Sequence, residues 1–272
     1  MNYRHAYHAG NFADCVKHAL LVWMLGALRR KPAPFFVLDT HAGAGRYDLS
    51  GQAGETGGEW RRGVARLLEA PPAPLAHYVD LVRSLGLYPG SPALVRAVLR
   101  ENDRLACCEL HALEYAALRR LFAADRQVAV HHRDGFEALR ALLPPTERRG
   151  LVLIDPPYEA PHEHARVANG LAAGWRRFHT GVFAAWYPIK HRAPVRALHE
   201  AVRESGMRDV LAAELWLREP TDPARLNGCG LLVVNPPYGF AQEAPPLLSA
   251  LLARLGNGEP GQGTAVRRLA DE

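Results

Sequence analysis

Lysine is almost missing from these 272 residues. It stands only at Lys17, Lys31 and Lys190, so arginine supplies nearly all of the 33 basic side chains. Arginine suits bidentate phosphate contacts and stacking on bases, and a net charge of +5 is compatible with a polyanionic partner. A genome biased toward arginine codons gives the same composition, so charge leaves both explanations open. Cysteine is sparse as well. Cys15, Cys107, Cys108 and Cys229 make no C-x-x-C pair, which removes the commonest zinc and redox motifs, and buried reduced thiols are the expectation. Long apolar runs are absent too. The longest, ALLVWMLGAL at 19–28, is about half of what a membrane span needs. It is followed by Arg29-Arg30-Lys31 with no small-residue cleavage site, which argues against a signal peptide. The expected location is the cytoplasm, with no membrane partner.

What is present is an alternation of strand and helix. The first helix is expected to start near Asn11 to Asp14, whose side chains can cap it, and to run to about Arg30. Seven apolar runs read as buried strands: 35–39, 105–110, 127–131, 151–155, 181–188, 210–217 and 231–235. Near-continuous aliphatic strands separated by helical patterns predict a mostly parallel sheet covered on both faces. Pro, Asp, Asn and Gly between the sixth and seventh runs suit a hairpin-like return, so the last strand is expected to be antiparallel. Asp39 and Glu109 end the first two runs and lie 70 residues apart, where a nucleotide-binding unit would separate such positions by about 20. Short helices broken by proline and glycine fill the interval. They predict a small helical subdomain at 50–92, bearing Arg61, Arg62 and Arg66, inserted into a domain made of 1–49 and 93–272.

VLDTHAGAGRY at 37–47 places Gly43 and Gly45 directly after a strand. Glycine there permits a tight turn and close approach of a ligand to the backbone. The third glycine of G-x-G-x-x-G is lacking, and acids crowd the rim instead: Asp39, Glu109 and Asp134-Gly135 at three successive strand ends. A dinucleotide pyrophosphate would be repelled there. A cationic, phosphate-free ligand fits better, and S-adenosylmethionine has a sulfonium, an ammonium and ribose hydroxyls for Glu109 to bind.

LVLIDPPYEA at 151–160 carries the chemistry. The amino group of adenine is a weak nucleophile because its lone pair is delocalised into the ring. Methylating it needs acceptors that draw on its N–H bonds and offset the developing positive charge. Asp155 offers a carboxylate, Pro156 a carbonyl held in place by proline geometry, and Tyr158 a ring on which a flipped base can stack. A second copy, LLVVNPPYGF at 231–240, ends the antiparallel strand. Its Asn235-Pro236-Pro237-Tyr238 therefore falls on the opposite edge of the sheet and is expected to be structural. His5, His8 and His18 are metal-ligand types, but no closed ligand set accompanies them, and no metal is expected.

Taken in order, NYRHAYHAGNFADCVKH (2–18), LDTHAGAGRYDL (38–49), YPGSP (88–92) and RRGLVLIDPPYE (148–159) resemble the large-subunit ribosomal RNA methyltransferase J family over most of the chain. The resemblance implies a Rossmann-like class I fold and S-adenosylmethionine-dependent methylation of adenine N6 in 23S rRNA, with S-adenosylhomocysteine as product. By resemblance, Lys17, His18, His41, Gly43, Ser91, Glu109, Asp134, Gly135 and Asp155 contact the cofactor. Asp155, Pro156 and Tyr158 serve catalysis, and Tyr3, Arg4 and His5 approach the substrate with Tyr158. The expected state is a monomer acting on naked or partly assembled 23S rRNA. The rival readings are methylation of DNA adenine, methylation of a protein glutamine amide, and a non-catalytic rRNA-binding assembly factor.

Overall fold

In the computed structural model, the described residues are 7–51, 56 and 58–272. Tyr3, Arg4 and His5 lie outside them. Helix α1 (Phe12–Arg29) starts where the sequence predicts: the Asn11 side chain accepts from the N–H groups of Ala13 and Asp14, at 2.9 and 3.0 Å. The elements that follow are β1 (Phe36–Asp39), β2 (Arg46–Tyr47), a 3-10 turn at Glu59–Arg62, α2 (Val64–Glu69), α3 (Ala76–Ser84), β3 (Tyr88–Pro89) and α4 (Ser91–Val98). Then come β4 (Arg104–Glu109), α5 (Ala112–Leu121), β5 (Val128–His132), α6 (Gly135–Ala141), β6 (Gly150–Ile154) and α7 (Glu163–Arg177). The chain closes with β7 (Val182–Ile189), α8 (Arg192–Glu204), β8 (Val210–Trp216), β9 (Gly228–Val234), α9 (Phe240–Leu255) and β10 (Gly263–Ala270).

The large sheet runs β10-β8-β9-β7-β6-β1-β4-β5. Strands β5, β4, β1, β6 and β7 are parallel, and β9 is inserted antiparallel between β7 and β8. All seven predicted strands are present, and the seventh is antiparallel as expected, but β5 is an edge strand with no buried residue, because only β4 flanks it. The sheet nevertheless has eight strands, not seven, because β10 adds itself antiparallel to β8 at the edge. Its Thr264–Ala270 run interleaves Arg267 and Arg268 with apolar residues and stays largely half-exposed, so it lacks the aliphatic signature of the others.

Side chains alternate across the pleat. Val37, Leu151 and Leu153 join a core beneath α1, α4, α5 and α9, while Leu38, Val152 and Ile154 join one beneath α6, α7 and α8. Among the described residues, the segment between β1 and β4 has no separate core: Val64, Leu67, Leu75, Val79 and Val82 belong to the first of these two. Two ends of that segment are stitched together by the β2–β3 ladder, and Gly90 N–H donates to the Gly45 carbonyl at 2.9 Å. That stitch places Ser91 over the end of β1. Since the chain leaves β1 first toward β4 and β5 and then returns to β6 on its other side, a crevice opens at the carboxyl ends of β1, β4 and β6.

The second Pro-Pro-Tyr lies on the far edge, as expected from an antiparallel strand. Asn235 N–H donates to the Asp209 carbonyl, and its Nδ2 donates to the carbonyls of His179 and Gly181 at 2.7 and 2.8 Å. Tyr238 is 95% exposed. Asn235 thus ties the end of β9 to the chain entering β7, a turn role.

Candidate active site

A cavity of about 990 Å³ occupies the crevice. Every described residue that the resemblance assigns to cofactor, catalysis or substrate lines it: Lys17, His18, His41, Gly43, Ser91 and Glu109, together with Asp134, Gly135, Asp155, Pro156 and Tyr158; Asp39 lies buried behind Ser91. Gly45 lies behind the turn. A side chain there would strike Leu121 and Leu118 at 2.8 and 2.9 Å, and its φ is +80°. Gly43, at φ +60°, leaves no room for a Cβ beside the Tyr47 hydroxyl, which would stand 2.2 Å away. Gly135 is set even more closely, since a Cβ would meet the Thr40 carbonyl oxygen at 2.1 Å. Backbone cannot yield as a flexible side chain can, so glycine at 135 is what lets the start of α6 approach the end of β1.

Each acid is held differently. Glu109 accepts from the Gly43 and His111 N–H groups, one on each oxygen, at 2.8 and 2.7 Å. This leaves lone pairs facing the cavity for a pair of hydroxyls. Asp134 caps α6 by accepting from Phe136 N–H at 2.7 Å, and Arg166 donates to its other oxygen at 2.7 Å. Its burial favours the neutral acid, but these donors outweigh that and hold its pKa below the ordinary value. Asp39 is fully buried and accepts from the Ser91 hydroxyl at 2.6 Å. Burial raises its pKa to about 6 against the pull of Ser91. Burial lowers His41 to about 4, which keeps its imidazole neutral at physiological pH.

Asp155 leaves the end of β6 and meets Lys17 at 2.6 Å, and the same ammonium reaches Asp14 at 2.8 Å. The three side chains are 15%, 5% and 4% exposed. Burial alone would push Lys17 down, yet the two carboxylates outweigh it and hold its pKa well above the usual lysine range. Asp14, Lys17 and His18 share one face of α1 by i, i+3, i+4 spacing. Asp14 is a capping candidate by sequence, and its i, i+3 spacing from Lys17 is the sign of a buried pair. Tyr158 sits at φ +54°, and its hydroxyl donates to the Trp186 carbonyl at 2.8 Å. Its ring meets Trp186 and His164 edge-on, with centroids 5.7 and 4.8 Å away. The cavity also takes in residues with no motif to mark them: His111 before α5, Glu114 in it, Lys190 after β7, and Arg218 and Arg225 after β8.

The raised pKa of Asp39 makes a pH prediction. A carboxyl raised in the folded state contributes stability that is fully present below its unfolded pKa of 3.8 and lost as pH rises through about 6. The span corresponds to on the order of 3 kcal/mol. Asp39→Asn is therefore expected to flatten the fall in urea-unfolding stability between pH 4 and pH 6. Equal slopes in the two proteins would rule Asp39 out as its source.

An open sheet with an antiparallel strand inserted between its last two parallel strands, and a cavity framed by a glycine turn and strand-end acids, defines the Rossmann-like class I methyltransferase fold. The family model described as Ribosomal RNA large subunit methyltransferase D, RlmJ matches residues 32–268. Ribosomal RNA large subunit methyltransferase J of Escherichia coli (strain K12) is 39% identical over 272 residues, covering 97% of each chain. The protein of that name from Haemophilus influenzae is 38% identical, covering 95% of this chain and 96% of its own. A crystal structure of a Legionella pneumophila protein superposes with a TM-score of 0.88 at 34% identity, covering 96% of this chain and 98% of that one. The chain belongs to this ribosomal RNA large subunit methyltransferase family.

Proposed function

We propose that this protein transfers a methyl group from S-adenosylmethionine to the N6 amino group of one adenine of 23S rRNA, adenine 2030 in bacterial numbering. The observation that carries the proposal is the single cavity in which Asp155-Pro156-Pro157-Tyr158 faces the glycine turn and its acids. The acid half of that cavity fits a cationic cofactor: Glu109 is positioned for the ribose hydroxyls, and Asp39 and Asp134 make the field negative. Lys17, His18, His41, Gly43, Ser91 and Gly135 complete its wall. When bound there, S-adenosylmethionine supplies an electrophilic methyl group.

The chain's own groups do the rest. A target base flipped out of its helix packs against Tyr158, whose ring is fixed by its bond to the Trp186 carbonyl. Asp155 and the Pro156 carbonyl then accept from the two N–H bonds of the amino group, turning its lone pair toward the methyl donor. A cavity of about 990 Å³ lies at the upper end of the range for small-molecule sites and has room for cofactor and base together. Preorganised acceptors supply most of the acceleration. In this reading residues 50–92 are an insertion in the domain made of 1–49 and 93–272. The protein works as a cytoplasmic monomer, and Tyr3, Arg4 and His5, outside the described residues, are assigned to substrate recognition. Its substrate is naked or partly assembled RNA.

The test is labelled methyl transfer to protein-free 23S rRNA, with double-stranded DNA and intact large subunits in parallel and nuclease digestion of the product. N6-methyladenosine is expected in the free RNA. Transfer to DNA alone would overturn the RNA assignment, and equal transfer to intact subunits would overturn the preference for unassembled RNA.

A further inference from the structure

The cavity wall changes sign along the sheet. On the β4–β5 side it carries Glu109, Glu114 and Asp134; on the β7–β8 side it carries Lys190, Arg218 and Arg225. Register puts these cations on the same edge as the site. Gly228 of β9 faces both Ile189 and Trp216, so Lys190 and the chain after Trp216 emerge at one level. Ile154 pairs with Ala185, which sets Asp155 level with Trp186. Lys190 is four residues further along the strand, roughly 13 Å above Asp155 at about 3.3 Å per residue. The cations therefore form the mouth of the cavity on one side, with Asp155 at its floor.

This side of the mouth is built, not loose. Asn227 is fully buried, and its Nδ2 donates to the carbonyls of Lys190 and Asp222 at 2.8 and 2.7 Å. Its N–H donates to the Ile189 carbonyl at 3.1 Å. One amide thus locks the end of β7 to the loop that carries Arg225. Arg218 is taken up by Glu259 in a two-pronged pair at 2.6 and 2.7 Å. Lys190 and Arg225 are both exposed, and among the described residues no ion pair engages either one. Two exposed cations on anchored backbone, above an acceptor for a neutral base, call for an anion beside that base.

We propose that Lys190 and Arg225 bind the phosphates flanking the adenine delivered to Asp155, with Asn227 as the residue that positions them. The inference rests on the proposed function and adds the surface that seats the RNA backbone. Phosphate contacts orient a polynucleotide and make its affinity fall with salt. The experiment compares wild type, the K190A/R225A double variant and the charge-preserving K190R/R225K variant. It measures methyl transfer to a protein-free 23S rRNA transcript, binding of that transcript over a salt series, and binding of S-adenosylmethionine alone. Both sites are exposed, so melting temperatures should agree.

The alanine pair is expected to raise KM for the transcript about tenfold and lower the salt slope of log Kd by about 2. Its kcat should stay within about twofold and its cofactor affinity unchanged, while K190R/R225K keeps the wild-type slope. An unaltered slope and KM in the alanine pair would overturn the proposal. So would lost cofactor affinity, which would assign the cations to the cofactor carboxylate. Wild type that binds the transcript without methylating it would remove the proposed activity, and the salt slopes would still judge these two residues separately.

Discussion

Asp155→Ala is expected to lower kcat for methyl transfer to 23S rRNA by about 10²–10³-fold, the usual cost of removing one preorganised group from a site of charge development. The carboxylate stands at the end of β6 between two prolines and Lys17, with no freedom to be replaced by a neighbour. Water entering the vacated space could accept from an N–H bond but would not be held in line with the second acceptor at Pro156. Asp155→Asn separates charge from geometry. It keeps an acceptor oxygen and loses the negative charge, so its kcat should fall between wild type and alanine. Folding should survive in both, because Lys17 keeps Asp14 at 2.8 Å. Undiminished kcat in Asp155→Ala, with cofactor binding intact, would move the acceptor role elsewhere.

The sheet was legible where its strands are buried on both faces. LVLI before Asp155 and LLVV before Asn235 are aliphatic at every position because helices cover both sides, and such runs need no periodicity to be read. Strand β10 carries no such run. It pairs at the edge of the sheet with Arg267 and Arg268 exposed, and its place depends on β8, some fifty residues earlier in the chain. Pro245 and Pro246 inside α9 similarly blur a helix that packs well in three dimensions. The helices at 50–92 were visible, but their dependence on the core beneath α1 and α9 is a tertiary fact.

Site residues were legible where they close a strand: Asp39, Glu109 and Asp155 each follow an apolar run, and Asp134 comes two residues after β5. What the sequence could not show is which of them are partnered. Ser91 reaches Asp39 only because β2 and β3 pair and bring Gly90 to Gly45. Arg166 reaches Asp134 from α7 across 32 residues of chain. The basic side of the mouth was hidden more thoroughly. Leu217 to Asn227 reads as a polar return between strands, and only the antiparallel insertion of β9 brings it level with Lys190.

Lys17→Met is expected to be the most destabilising exchange, at about 3–5 kcal/mol by urea unfolding near neutral pH, because it strands two buried carboxylates. Methionine fills much of the same volume, so the loss measures charge and not a cavity. In wild type the folded pKa of Lys17 is raised above its ordinary 10.5, so its stabilisation is fully present below that pH and is lost only above it. Between pH 5 and pH 9 the wild-type contribution is therefore constant. In the variant Asp14 and Asp155 stay buried with no cation between them, and the destabilisation is expected throughout that range. Asp14→Asn added to Lys17→Met should recover part of it by leaving one carboxylate fewer to strand. A loss unrelieved by the second substitution would show that Lys17 stabilises α1 by packing and that its ion pairs contribute little.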